Sequence, residues 1–296
     1  MRVLVTGGNG FIGGHVIDCL IEQGHEPVSL DRHGTPHRRD VEFELADIRD
    51  ADRVMAAMSK VDGVINLAGI LGTSETIERP RFTVQSNLLG AINVFNACRD
   101  QEKKGVHITV GNYWMNNPYA ITKNSAERVA MVYNANFGTR IAIVRGLNAY
   151  GERQKATPVR KIMPNVIVPA LTGGEILIYG DGEQLMDMIH VRDVADVLIR
   201  ALLLDHDCYD TIIEAGRGLA LTPTINQLVE AVVGQVQTEC SVRHVPMRGG
   251  EPERSVVVGD PKTLEPLGVS VDDMLPLDQG IARSIRWYRE HLAEYC

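Results

Sequence analysis

The sequence predicts an α/β protein, a doubly wound parallel sheet with a second, smaller and irregular lobe. Three observations carry this. Short β-rich runs alternate with longer helix-patterned runs through the first half of the chain. A glycine-rich stretch, GGNGFIG from Gly7 to Gly13, stands between the first such run and the first helix. After Gly146 the texture changes to short pieces rich in Pro and Gly. Strands alternating with helices imply parallel pairing, because each crossover lays a helix on a face of the sheet.

Taken in order, RVLVTG reads as the first strand and FIGGHVIDCLIEQGH as a helix ending near Gly24. EPVSLD, VEFELAD and VDGVINLAG are strands two to four, with ADRVMAAMS helical between the last two. SNLLGAINVFNACRDQ is a long helix and VHITV the fifth strand. A helix then runs from Tyr119 to about Phe137 and stops at Gly138, a residue suited to the left-handed turn that ends helices. TRIAIVRG is the sixth strand. Residues 148–186 read mainly as loop. HVRDVADVLIRALLL and YDTIIEAG return to helix and strand, and a final amphipathic helix follows a Pro/Gly/Arg-rich stretch, HVPMRGGEPERS. The expected division is a Rossmann-type domain over 1–147, joined by 187–217, and a substrate-binding lobe over 148–186 and 218–296. That lobe is expected over the carboxyl edge of the sheet, where open α/β sheets bind ligands.

Composition narrows the function. The chain has 296 residues, 44% hydrophobic and 23% charged, enough for a large core. A net charge of −8 argues against a nucleic-acid partner, since phosphate-backbone binding wants a basic face. The MRVLVTGG start has no basic n-region or apolar h-region, and no apolar run approaches the roughly 18 residues of a spanning helix. The five cysteines (Cys19, Cys98, Cys208, Cys240, Cys296) are far apart, odd in number and without a CxxC. A cytoplasmic protein with reduced thiols is expected. Nine scattered histidines lack ligand spacing, so no metal is expected.

The glycine stretch points to a dinucleotide. Gly7 allows a tight turn, Gly10 lets backbone approach a pyrophosphate, and Gly13 lets helix pack on strand. The helix N-terminus then faces the anion. Asp31, closing the second strand, can accept from both ribose hydroxyls and repels a 2′-phosphate, which favours NAD. Arg32 and the basic loop HGTPHRR keep NADP open. Asp47 either meets the adenine amino group or caps the next helix.

Tyr119 and Lys123, in YAITK, are four residues apart, about 6 Å of helical rise on one face. A free phenol titrates near about 10, too high for a base at neutral pH. A neighbouring ammonium and a positive nicotinamide ring both favour the phenolate. Tyr119 can then take a proton from an alcohol while hydride leaves to the cofactor. Lys123 would also hold the nicotinamide ribose.

These segments resemble the extended short-chain dehydrogenase/reductases, and among them the NAD-dependent nucleotide-sugar epimerase/dehydratase family of UDP-glucose 4-epimerase-like type. The resemblance rests on VTGGNGFIGGH, Asp31, the Ala-Asp-Ile ending at Ile48, NLAG, SNLLGAINVFNACR, YAITK, VRGLNAYGERQ, IYGDGEQLMDMIHVRDVA and RGGEPERS, in that order and over nearly the whole chain. It implies that Phe11, Ile12, Ile48, Leu67, Ala68 and Gly69 line the cofactor and that Asn87 lies near the nicotinamide. It implies that Asn148 holds the sugar or phosphate, that Ile178 and Tyr179 pack on the base, and that Arg248 grips the diphosphate. Gly72, Thr73 and the short loop around Tyr113 and Trp114 would shape the sugar pocket. Homodimerisation through the helices at 85–100 and 119–137, using Ile92, Phe95, Val129 and Val132, is implied as well.

Two departures bear on chemistry. The family carries a Ser or Thr at the end of the fifth strand, hydrogen-bonded to the tyrosine, and then a longer loop before it. Here that position falls near Val110–Asn112, and Thr109 is the candidate, with Asn112, a water or the sugar as alternatives. Met186 stands where relatives have a phosphate-contacting arginine, which Gln184 or Arg192 would replace only in part. Dehydratases of the family place an Asp-Glu pair just after the fifth strand, and here no acidic residue lies between Glu102 and Glu127. Oxidation and re-reduction remain the accessible chemistry, so 4-epimerisation of a nucleotide-diphosphate sugar, a UDP-sugar first, is the expected function. A dehydratase or reductase of the same family is the alternative enzyme, and a non-catalytic NAD-binding regulator the alternative class.

Overall fold

A computed structural model describes residues 1–34, 36, 38–205 and 209–295. Thr35 and His37 of the basic loop, Cys208 and Cys296 lie outside the described residues. Six strands form in the order expected: β1 (Arg2–Thr6), β2 (Glu26–Asp31), β3 (Glu42–Leu45), β4 (Gly63–Asn66), β5 (Lys104–Val110) and β6 (Ile141–Gly146). Then come β7 (Asn148–Tyr150), β8 (Glu175–Tyr179), β9 (Leu185–Met186), β10 (Met188–His190), β11 (Ile212–Ala215), β12 (Ser241–Val245) and β13 (Val256–Val257). The main sheet has seven strands, β11-β6-β5-β4-β1-β2-β3, and every pair in it is parallel. The order reverses between β1 and β4, the switch point at which such sheets open a crevice.

The helices are α1 (Phe11–Glu22), α2 (Ala51–Met58), α3 (Pro80–Val84), α4 (Gly90–Asp100), α5 (Pro118–Phe137), α6 (Ile162–Thr172), α7 (Val191–Leu203), α8 (Ile225–Val236) and α9 (Leu277–Glu290). α1 and α7 cover one face, packing Val16, Leu20 and Leu198 on Val3, Val5 and Ile65. α2, α4 and α5 cover the other, packing Met58, Phe95 and Ala126 on Leu4, Val28 and Ile143. Alternate strand residues enter opposite clusters, the period-2 rule of a sheet buried on both sides.

The structure differs from the sequence reading in three places. The helix expected over SNLLGAINVFNACRDQ is interrupted by a π-helical turn, Gln85–Leu89, which presents Asn87 inward. The 148–186 stretch holds a full helix, α6, that its prolines conceal. Pro164 occupies the first turn, where an N–H has no helical partner, although Pro169 lies inside the helix. The region after 218 holds α8, opened by a Thr224/Gln227 capping box. α6, α8 and α9 share a separate apolar cluster with Ile176 and Ile178 of β8.

Buried polar contacts join this lobe to the sheet, among them those of His15 and Asp187. His15 on α1 meets the carbonyl of Glu152 at 2.9 Å, and burial lowers its pKa to about 4. Asp187, fully buried, accepts from the backbone N–H groups of Arg217 (2.9 Å), Gly218 (3.0 Å) and Gly259 (3.1 Å). Cys19 and Cys98 are buried free thiols and Cys240 is a half-buried one. Among the described residues no helix is long and apolar enough to cross a membrane, and no group of three or more His, Cys, Asp or Glu could hold a metal.

Candidate active site

A cleft of about 1880 Å³ runs along the carboxyl edge of the sheet. Every residue singled out for the cofactor, the chemistry or the substrate lines it except Asn87, Tyr113 and Trp114. Asn87 sits behind the wall, where it accepts from the Ile70 N–H (2.6 Å) and donates to the Ile70 carbonyl (3.0 Å) and to Thr122 (3.2 Å). It therefore clamps the loop after β4 to α5.

At one end the glycine loop forms a cradle. Gly7 has φ +69°, and the Gly10 N–H donates to its carbonyl at 2.9 Å. A Cβ on Gly13 would stand 2.2 Å from that same carbonyl oxygen, so only glycine fits there. Gly10 caps α1 without a side-chain hydrogen bond, and the first turn carries no acidic residue. Its N–H groups are thus aimed at the cleft, the arrangement that receives a pyrophosphate. These residues fit NAD. Asp31, at the end of β2, accepts from the backbone N–H of Asn9 (3.2 Å) and of His33 (3.0 Å), which fixes its carboxylate beside the loop. Arg32 instead lies 5.3 Å over the Phe82 ring, with Arg49 4.9 Å from the same ring. Asp47 is not the cap of α2, since Asp50 takes that role by accepting from the Arg53 N–H at 3.1 Å. Asp47 binds Arg49 through its backbone N–H, Nε and Nη2 at 2.9, 3.0 and 2.8 Å.

At the centre, α5 delivers Tyr119 and Lys123. Asn117 caps the helix by accepting from the Ala120 N–H at 2.9 Å, and Pro118 fills the first position, where its missing N–H costs nothing. Tyr119 is half-buried, while Lys123 is only 4% exposed. Lys123 Nζ lies 3.9 Å from where a Cβ on Gly69 would stand, so the β4 loop covers it. The sequence reading expects Lys123 and a nicotinamide ring to favour the phenolate, and burial in the protein alone acts the other way. Burial pushes the Tyr119 pKa up and lowers that of Lys123 to about 8, because both charged forms lose water.

Thr109 lines the cleft, but its hydroxyl donates to Glu127 at 2.7 Å, in place of the expected bond to Tyr119. Glu127 is also held by Arg145 through Nε (3.0 Å) and Nη2 (2.7 Å), and Arg145 reaches Glu214 at 2.9 Å. The face of that guanidinium lies 3.7 Å from the centroid of the Tyr113 ring. This cation–π contact holds Tyr113 against Arg145. Tyr113 and Trp114 are 37% and 44% exposed and do not line the cleft, whereas Gly111, Asn112 and Met115 of the same loop do.

At the far end, Asn148 donates Nδ2 to the Asp187 carbonyl at 3.0 Å. Arg248 sits 5.1 Å over the ring of Tyr179 and pairs with Glu251. Met186 lines the wall between them. Neither proposed substitute for an arginine there is uncommitted. Gln184 Nε2 donates to the carbonyls of Tyr179 and Glu253, both at 3.1 Å, and Arg192 pairs with Glu22 on α1. The sequence reading missed Lys161, which lines the cleft directly before α6 and whose pKa burial lowers, and the carboxylates Glu75 and Glu251. One basic residue in VRKIMP and two acids in loops have no spacing that marks them.

The profile of the NAD dependent epimerase/dehydratase family matches residues 3–111 and 107–211. A Methanocaldococcus jannaschii protein, whose name of UDP-glucose 4-epimerase is itself provisional, is 30% identical over 98% of this chain and 99% of its own. The UDP-N-acetyl-alpha-D-glucosaminuronate decarboxylase of Bacillus cytotoxicus is 27% identical over 98% of both. Among solved structures, the Thermus thermophilus UDP-glucose 4-epimerase in complex with NAD superposes with a TM-score of 0.85 at 26% identity, over 98% of this chain and 99% of that one.

Proposed function

The chain belongs to the NAD dependent epimerase/dehydratase family, and on that premise we propose that it epimerises C4 of a nucleotide-diphosphate sugar, a UDP-sugar first, through a transient 4-keto sugar. One observation carries the choice of reaction. The loop between β5 and α5, GNYWMNN, contains no carboxylate, while Tyr119 and Lys123 stand at the centre of the cleft. An elimination needs an acid and a base at neighbouring carbons, whereas reversible oxidation needs one proton acceptor.

NAD, held by Gly7, Gly10, Gly13, Asp31 and Lys123, supplies hydride acceptance and return. Tyr119, whose phenol burial keeps protonated, would gain from any positive charge that a bound oxidised nicotinamide supplied. Tyr119 Oη takes the proton of the C4 hydroxyl and returns it after the sugar has turned. Lys123 steadies the ribose and the phenolate. Arg248 and Lys161 hold the diphosphate while the keto sugar rotates, Lys161 supplying charge on the wall where Met186 has none. Tyr179 and Ile178 pack on the base, and Asn148 orients the sugar.

Purified protein is expected to carry NAD, detected by its absorbance after reduction. Incubation with UDP-, dTDP- and GDP-sugars, followed by proton NMR, is expected to give inversion at C4 without loss of water. A 4-keto-6-deoxy product would make the protein a dehydratase, and release of carbon dioxide from a uronate would make it a decarboxylase. No turnover on any sugar nucleotide would leave an NAD-binding regulator.

The same reading includes a homodimer. Phe95 belongs to the core, and Ile92 and Val129 pack against it. Val132, Ile121 and Leu89, each at least 50% exposed, form an apolar surface on α5 and the turn before α4. Light scattering is expected to give twice the chain mass.

A further inference from the structure

Loops that line opposite walls of the cleft touch each other across its mouth. Residues 70–79 follow β4, and residues 247–252 belong to the second lobe. Ser74 Oγ donates to the Gly249 carbonyl at 2.7 Å, and Thr73 donates to Glu251. Ile77 Cδ1 lies 3.1 Å from where a Cβ on Gly250 would stand. The Arg160 N–H donates to Glu75 at 3.2 Å, and Asn117, the cap of α5, donates to the Gly250 carbonyl at 3.0 Å. Thr73, Glu75, Arg248 and Glu251 all face the cleft, so these ties roof it. Each roof loop also carries a carboxylate: Glu75 accepts from the Arg160 backbone N–H and lies close enough to Lys161 to favour its charged form, and Glu251 binds Arg248 of its own loop through Nε and Nη2.

We propose that loops 70–79 and 247–252 form a strap over the cleft mouth, latched by Glu75 and Glu251, and that a diphosphate releases it by competing for Arg248 and Lys161. The inference rests on the reading that the cleft takes a nucleotide sugar. A guanidinium fork that pairs with a carboxylate presents the same donors a phosphate needs, so one anion displaces the other. The ties are few, partly exposed side-chain bonds, the kind that open without global unfolding.

The test uses the NAD-loaded full chain, with Ser74→Ala and Glu251→Gln. In both variants UDP is expected to associate and dissociate several-fold faster by stopped flow, with Kd moving less than the rates. Native-state hydrogen exchange over 72–79 is expected to speed up in both without any ligand. Inorganic pyrophosphate is expected to speed it in the wild type, and uridine is not. Unchanged exchange in both variants overturns the strap. Protection by pyrophosphate overturns its release by a diphosphate. If Glu251→Gln weakens UDP through faster dissociation alone, Glu251 is a ligand contact and the latch is wrong. A wild type that does not bind UDP defeats the nucleotide-sugar reading instead, and exchange in the variants still decides the strap.

Discussion

Thr109 on β5 gives its hydroxyl to Glu127 on α5, 2.7 Å away and eight residues beyond Tyr119. Eight residues are about 12 Å of helix axis, so this bond aims the hydroxyl well away from the phenol. The buried Glu127 needs it, because an ion pair in a dry interior is stable only when its remaining lone pairs are satisfied.

From this, Thr109→Val is expected to act on stability more than on chemistry. It should cost about 1.5–3 kcal/mol in urea unfolding, the worth of one hydrogen bond to a charged group. The value of kcat should fall less than about tenfold, against a loss on the order of a thousandfold for Tyr119→Phe, which removes the proton acceptor itself. A Thr109→Val enzyme as inactive as Tyr119→Phe would restore Thr109 to the proton path.

Lys123 gives a pH signature in the cofactor-free protein. Its pKa is lowered by burial from 10.5 to about 8. Below pH 8 the lysine is protonated in both folded and unfolded chains, and burial of the charge costs about 3 kcal/mol. Between pH 8 and 10.5 the unfolded chain binds more protons, so this penalty is relieved as pH rises. Lys123→Met is therefore expected to raise the urea midpoint at pH 7 and to flatten its rise between about pH 8 and 10. A midpoint that Lys123→Met leaves unchanged at both ends of that range would mean the ammonium is hydrated.

Much of this was legible from residues alone, and the remainder was not for identifiable reasons. The strand order, the glycine cradle and the Tyr119/Lys123 face follow from periodicity and from glycine at fixed offsets, which are local properties. α6 was hidden because Pro164 and Pro169 look like breakers, yet Pro164 falls where a helix has no N–H to lose. The sequence left the partner of Thr109 open between several readings, because a strand residue's partner is set by what packs over the sheet, here Glu127, and that contact spans 18 residues. Lys161, Glu75 and Glu251 come from three separate loops, and only the folded chain brings them to one cleft.

The glycine cradle separates folding from binding. Gly13→Ala puts a methyl 2.2 Å from the Gly7 carbonyl oxygen, so α1 must shift off the strand. A loss of roughly 1–3 kcal/mol is expected from this overpacking, together with loss of NAD. Gly10→Ala meets only that same oxygen, at 3.0 Å, and Gly10 is exposed with φ −79°, which alanine adopts freely. Its methyl should stand in the path of the pyrophosphate while the fold is nearly unchanged. Thermal unfolding and NAD titration of the two variants check this, and Gly10→Ala retaining full NAD would move the pyrophosphate elsewhere.

Lys161 tests the substrate end apart from the cofactor end. With Met186 in the wall, the cleft is also lined by Arg248, 5.1 Å over the Tyr179 ring, by Arg160, which donates to the Tyr179 hydroxyl at 3.3 Å, and by Lys161 next to it, and the reading assigns the diphosphate to Arg248 and Lys161. An ammonium there acts as a point charge, and removing one charge-assisted contact is worth about 1.5–3 kcal/mol. Lys161→Met should therefore raise KM for the sugar nucleotide about 10- to 100-fold, leave NAD content unchanged and lower kcat far less. If burial strains the ammonium more than the diphosphate rewards it, the same substitution will tighten UDP binding instead, and Lys161 would then serve only as a counter-ion to Glu75. Arginine at position 186 separates the two outcomes, because an added guanidinium recovers the KM lost in Lys161→Met only if charge on that wall holds the diphosphate.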